Sequence, residues 1–178
     1  MQKRTKEHFE GERALFQQKD LLLEECLFDN GESPLKEGKN LSCLRSTFDW
    51  KYPLWYGKNL KIEDCFFSSQ ARAGIWYSQD VMLSSCRYEA PKGFRKCINI
   101  HIENSSFPHA LETLWWNEDV ELKNVQVQQG DYFGMGSRNV RIENLSLQGN
   151  YAFDHGENLK ISHSSLLTKD AFWNCKNV

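Results

Sequence analysis

The sequence predicts an all-β fold, a single-stranded right-handed parallel β-helix of about eight turns with three short strands in each. The first observation behind this is a repeat. An Asn or Asp followed by alternating apolar residues stands at Asp20, Asn40, Asn59, Asp80, Asn99, Asp119, Asn139, Asn158 and Asn177, in successive steps of 20, 19, 21, 19, 20, 20, 19 and 19 residues. The second is the alternation inside each unit, as in NLKIEDCFF (59–67) and NVRIENLSL (139–147). A fixed spacing near twenty residues with period-two patterning is the signature of a stacked solenoid rather than of a helical repeat.

Each unit opens on a strand. Its second and fourth positions are apolar (Leu60/Ile62, Val81/Leu83, Ile100/Ile102, Val120/Leu122, Val140/Ile142) and the residues between are polar, which is one buried and one solvated face. The sixth position carries Asn104, Asn124 and Asn144, with Asp64 earlier in the chain. Asn tolerates left-handed backbone, so it suits a tight corner, and its amide can bond a stacked copy of itself. The resulting ladder, with Asn124 bonded toward Asn104 and Asn144, is expected to be buried. A second strand follows. Its seventh position is small or apolar (Cys26, Ser46, Cys65, Cys86, Ser105), and its ninth is mostly aromatic (Phe28, Phe48, Phe67, Tyr88, Phe107). The third strand is expected just ahead of each Asn/Asp, with Leu15, Leu35, Leu54, Ile75, Phe94 and Leu114 inward and the next residue outward. A leucine-rich repeat has a similar length but one strand per unit, and these units carry more. Residues 1–10 are expected to stand apart as an N-terminal capping segment. Residues 11–178 form the β-helix, which reaches the last residue inside a repeat.

Composition removes several function classes. With 22 Lys+Arg against 24 Asp+Glu the net charge is −2, without the basic excess of a nucleic-acid binder. No apolar run approaches the roughly 20 residues of a membrane span, and mean hydropathy is −0.64. Residues 1–19 lack the apolar core of a secretory signal, so a cytoplasmic protein is expected, with its six cysteines reduced. Cys65 and Cys86 lie on adjacent turns about 4.8 Å apart, inside disulfide range, and packed thiols are the reading that a reducing compartment favours. The cysteines form no CxxC pair and no Cys/His cluster, so neither a metal nor a cofactor is expected.

The segments ahead of the corners are distinctive: GERALF (11–16), KYPLWYG (51–57), ARAGIWY (71–77), ETLWW (112–116), GNYAFD (149–154) and KDAFWN (169–174). In this respect the chain resembles the DUF3737 family of uncharacterised bacterial proteins, grouped with the pectate-lyase-like β-helices. The resemblance runs from about Phe9 to the last residue and implies the fold without supplying a function.

It also implies where a substrate groove would run, along the outward column Phe16, Lys36, Trp55, Trp76, Arg95, Trp115, Met135, Asp154 and Trp173. Indole faces in line suit stacking against sugar rings. Trp55, Trp76, Trp115 and Trp173, with Lys36, Arg72 and Glu112, are therefore the candidate substrate-binding residues, and an oligosaccharide is the expected ligand. The candidate catalytic residues are Asp154, Asp170 and Arg95, in a lyase or hydrolase. Arg95 lies three turns from Asp154, about 14 Å, beyond the ~5–9.5 Å that separates glycosidase carboxylates. This leaves Asp154 and Asp170 as the closest acid pair. The alternative is a non-catalytic structural or protein-binding module. A homo-oligomer is expected through residues 158–178, whose apolar columns have no turn stacked on them.

Overall fold

The computed structural model describes residues 1–178 and contains strands and turns but no α-helix. No helix is long and apolar enough to cross a membrane. All strand pairing is parallel, between one turn and the next, in a β-solenoid of about eight turns.

The longer strand of each turn (Lys19–Glu24, Lys39–Leu44, Lys58–Glu63, Gln79–Ser84) pairs in a register that never slips. Leu21, Leu41, Leu60, Val81, Ile100, Val120, Val140 and Leu159 align in one column. Side chains of period two cannot shift by one residue without exchanging core and solvent faces, so the apolar columns hold the register. The shorter strand (Leu27–Phe28, Thr47–Phe48, Phe66–Phe67, Arg87–Tyr88) builds a second parallel sheet. Its inward rings form one pile: Phe9, Phe28, Phe48, Phe67, Tyr88 and Phe107 stack at centroid distances of 5.0, 5.0, 4.6, 4.5 and 5.4 Å.

Two expectations need correction. Residues 1–10 are not a separate segment: Gln2–Thr5 pairs with Leu21–Glu24, and His8–Phe9 pairs with Leu27–Phe28, so they form a regular turn of the solenoid. The third side is not a strand either. It is a run of turns whose only ladder pairs are the isolated bridges Trp76–Arg95 and Arg95–Trp115. Backbone conformation explains this. Within one turn Ser33, Glu37, Asn40 and Arg45 all have φ between 47° and 60°, giving left-handed corners on both sides of the third segment and no room for extended chain between them. Stacking survives through bonds from alternate residues, such as Leu15 N–H to Pro34 O at 2.8 Å and Gln17 N–H to Lys36 O at 3.0 Å.

Left-handed corners cost about 1–2 kcal/mol for most L-residues, and least for Asn and Asp. The repeating Asn/Asp residues occupy one such corner, and their side chains form a surface ladder. Asn40 donates to Asp20 at 2.9 Å and Asn59 to Asn40 at 2.9 Å. A new run begins with Asn99 donating to Asp80, and a third climbs from Asp119 through Asn139 and Asn158 to Asn177. Every run starts on an Asp because a carboxylate accepts but cannot donate.

The second ladder, Asn104–Asn124–Asn144, also forms, with bonds of 2.9 and 2.8 Å, but it is exposed rather than buried. Asn124→Ala therefore removes two solvent-facing bonds and places Ala in a left-handed corner (φ 52°). The expected loss is about 1–2 kcal/mol, read from the urea midpoint, and an unchanged midpoint would contradict the ladder.

Inside the corners runs a polar seam. Cys26 N–H donates to Ser46 Oγ (3.0 Å), Ser46 N–H to Cys65 Sγ (3.4 Å), Cys65 N–H to Cys86 Sγ (3.4 Å) and Cys86 N–H to Ser105 Oγ (3.0 Å). A parallel seam joins Gly57, Ser78, Cys97, Asn117 and Ser137. Each left-handed corner turns an N–H out of the sheet ladder, and a small acceptor one turn on satisfies it, as a buried amide requires. The six cysteines are free thiols. Burial raises the Cys43 pKa well above its ordinary value and pushes Cys97 up to about 12, so both stay protonated and inert.

Candidate functional site

The column one residue after the buried Leu/Ile/Phe column is half-buried from Phe16 to Met135, with Asp154 buried and Trp173 exposed. Its arrangement is tighter than a row of free rings. Trp55 and Trp76 are parallel to within 5°, with centroids 5.1 Å apart. The Arg95 guanidinium lies 4.5 Å from the Trp76 centroid and 4.9 Å from that of Trp115, sandwiched between the two indoles. The indole N–H groups are also spent internally: Trp55 donates to Ala73 O (2.5 Å), Trp76 to Lys92 O (2.6 Å) and Trp115 to Tyr132 O (2.8 Å). All four side chains are half-buried.

This changes the chemistry open to the column. The faces of Trp55, Trp76 and Arg95 cover one another, so a sugar ring meets indole edges there and not the faces that stacking needs. Trp76→Ala is expected to cost roughly 1–3 kcal/mol, below the 3–5 kcal/mol of a fully buried Trp because part of its surface is already solvated. Thermal melts compared with Trp173→Ala provide the check: Trp173 is 59% exposed and should lose far less.

Around the column the charges divide into two groups. Glu112 is engaged by Lys92 at 3.2 Å and by Arg95 at 3.7 Å, so it anchors the stack. Lys51 pairs with Glu32 at 3.7 Å. Lys36, Arg72 and Lys96 have no carboxylate partner, and Lys36 lies 5.7 Å from the Tyr56 ring.

The candidate catalytic residues do not assemble. Asp154 is 8% exposed, accepts from Asn174 Nδ2 at 3.2 Å and has the Nδ1 of the adjacent His155 2.9 Å from its carboxylate. Asp170 is exposed and contributes nothing to that cluster, because in the stack it aligns with Tyr151 rather than Asp154: Tyr151 N–H donates to Lys169 O, while His155 N–H donates to Trp173 O. Arg95 is held in the indole sandwich, three turns away. One group elsewhere has metal-ligand spacing: His8, Glu10 and Asp29 place ligand atoms within 4.8 Å of one another. His8 bonds Asp29 at 2.6 Å, and that bond raises the His8 pKa above its ordinary value, as an ion pair does.

A second outward column, one residue further on, was not singled out from the sequence. It runs Gln17, Glu37, Tyr56, Tyr77, Lys96, Trp116, Gly136, His155, Asn174, every member at φ between 50° and 66°. Tyr56 and Tyr77 stack at 4.9 Å, and Trp116 is 49% exposed. The available signal was the lone glycine in this column, Gly136, directly after Trp116.

No curated protein matches the chain. Over residues 2–178 it matches the model of the family described as "Protein of unknown function (DUF3737)", and it belongs to that family.

Proposed function

We propose that the chain is a carbohydrate-binding β-helix that acts by recognition rather than by bond cleavage, with acidic oligosaccharide as its ligand class. The observation carrying this reading is the pairing of two features on one face. The exposed rings of Tyr56 and Trp116, with Tyr77 stacked on Tyr56, lie along this face, and beside them project three cations, Lys36, Arg72 and Lys96, that no carboxylate neutralises. Rigid aromatic area is gained at little conformational cost, and unpaired cations favour a ligand bearing carboxylates. The resemblance to pectate-lyase-like helices supports the same face as a groove. The dispersal of Asp154, Asp170 and Arg95 supports binding over catalysis.

Calorimetric titration of the whole chain with oligogalacturonate and with a neutral cello-oligosaccharide tests the proposal. Binding of the acidic ligand that weakens as salt rises, with no shortening of the oligosaccharide, is the expected result. Absence of binding to either would overturn it. Self-association in sedimentation under the same conditions would favour the protein-binding reading, for which the exposed Tyr132, Trp173 and Leu167 supply apolar surface.

A further inference from the structure

Gly136 is the only position in the second outward column without a side chain, and its effect on Trp116 is specific. A Cβ built there would lie 2.2 Å from Trp116 Cε3, 2.4 Å from Cζ3 and 2.6 Å from Cδ2. Three consecutive ring atoms at nearly equal distance mean that Gly136 touches the face of the six-membered ring, not its edge. The indole therefore lies flat across the glycine. Its opposite face meets no aromatic ring and no cation, unlike those of Trp55, Trp76 and Trp115. An indole 49% exposed, with one face seated on backbone and neither ring nor cation stacked on the other, is a platform for a ring-shaped ligand.

The surroundings make this a site. Trp116 opens onto a groove of about 440 Å³ whose polar lining includes Lys96, Glu118, Arg138, His155 and Glu157, within the range of small-molecule sites. Arg138 is tied to Glu118 at 2.7 Å, which presents the two as a fixed donor–acceptor pair. His155 is held by the nearly buried Asp154 through Nδ1. That contact uses Nδ1 and leaves Nε2 free for a ligand. Lys96, one turn from Trp116, is the unpaired cation of the groove.

The geometry points to a saccharide subsite at Trp116, in which a hexuronate ring stacks on the open indole face. Its carboxylate meets Lys96, and its hydroxyls meet the Glu118–Arg138 pair and His155 Nε2. Asp154 is a positioning residue for His155. This deepens the carbohydrate reading above and rests on it.

Titration of the full-length wild-type chain and its variants with oligogalacturonate is the test. Trp116→Ala should weaken binding at least tenfold while leaving the thermal melt nearly unchanged, and Trp116→Phe should retain part of the affinity. Lys96→Gln should weaken the acidic ligand severalfold without affecting any residual binding of a neutral cello-oligosaccharide. Gly136→Ala, which displaces the indole but keeps it, should reproduce the binding loss of Trp116→Ala. If the wild type binds and Trp116→Ala binds equally well, the subsite is overturned and the carbohydrate reading stands, with the ligand elsewhere on the face. If the wild type binds no oligosaccharide, both fall together.

Discussion

Phe67→Ala is expected to lower the unfolding free energy by about 3–5 kcal/mol. Phe67 is fully buried and lies between Phe48 at 4.6 Å and Tyr88 at 4.5 Å in the central part of the ring pile. Removing it opens a cavity that neither neighbour can fill, because each is held at its own height by strand pairing on both sides. A solenoid adds a further effect. Turns contact only their neighbours, so a weakened interface in the middle divides the molecule into two blocks that unfold less cooperatively. Urea denaturation should therefore show an earlier midpoint and a shallower slope. Phe9→Ala makes the comparison: Phe9 has only one aromatic neighbour, Phe28, with the Arg4 guanidinium 4.9 Å from its ring, and is 9% exposed, so its loss should be clearly smaller. Equal losses at the two positions would show that the pile does not act as a continuous column.

Much of the fold was legible because two short-range rules leave marks on composition. Alternation separates inward from outward residues along both strands, and the left-handed corner selects Asn or Asp once in every turn. A further corner, at Glu37, Tyr56, Tyr77 and Lys96, selects nothing recognisable. Its absence from the residue pattern is why the third side reads as a strand and folds as turns. The polar seam of Cys, Ser and Asn was likewise hidden, since Cys65 and Cys86 look like small hydrophobes until the orphaned N–H groups of the preceding turns are located. In the site, the column of Trp55, Trp76, Arg95 and Trp115 was legible from the repeat alone. Whether an indole shows its face or its edge depends on side-chain torsions and on the neighbour one turn away, which spacing does not encode. The Asp154–Asp170 pair failed for a related reason: adjacency in a stack follows register, and these two residues are out of register by three positions.

Gly74→Ala should destabilise the protein by roughly 1–3 kcal/mol through overpacking alone. A Cβ at Gly74 would lie 2.1 Å from Tyr88 Oη and 3.1 Å from Cζ, while the backbone there has no left-handed strain to add. Gly93 faces the same ring, its Cβ position 2.9 Å from Cε1. The matching positions in other turns are Pro34, Pro53 and Thr113, so the two glycines coincide with the one tyrosine in a pile of phenylalanines. They make room for the hydroxyl. Yet the hydroxyl gains little, because Oη is buried beside the Gly74 backbone without an ordinary hydrogen bond, and burial raises its pKa above the usual phenol range. Tyr88→Phe removes an unsatisfied polar group at almost constant ring volume and should stabilise the fold by about 1 kcal/mol or more. The decisive measurement is the double-mutant cycle. In Tyr88→Phe the nearest ring atom to the new Cβ becomes Cζ, an adjustable contact, so Gly74→Ala should cost at least 1 kcal/mol less there than in the wild type. Additive effects would mean that the glycine is required by the backbone and not by the tyrosine it faces.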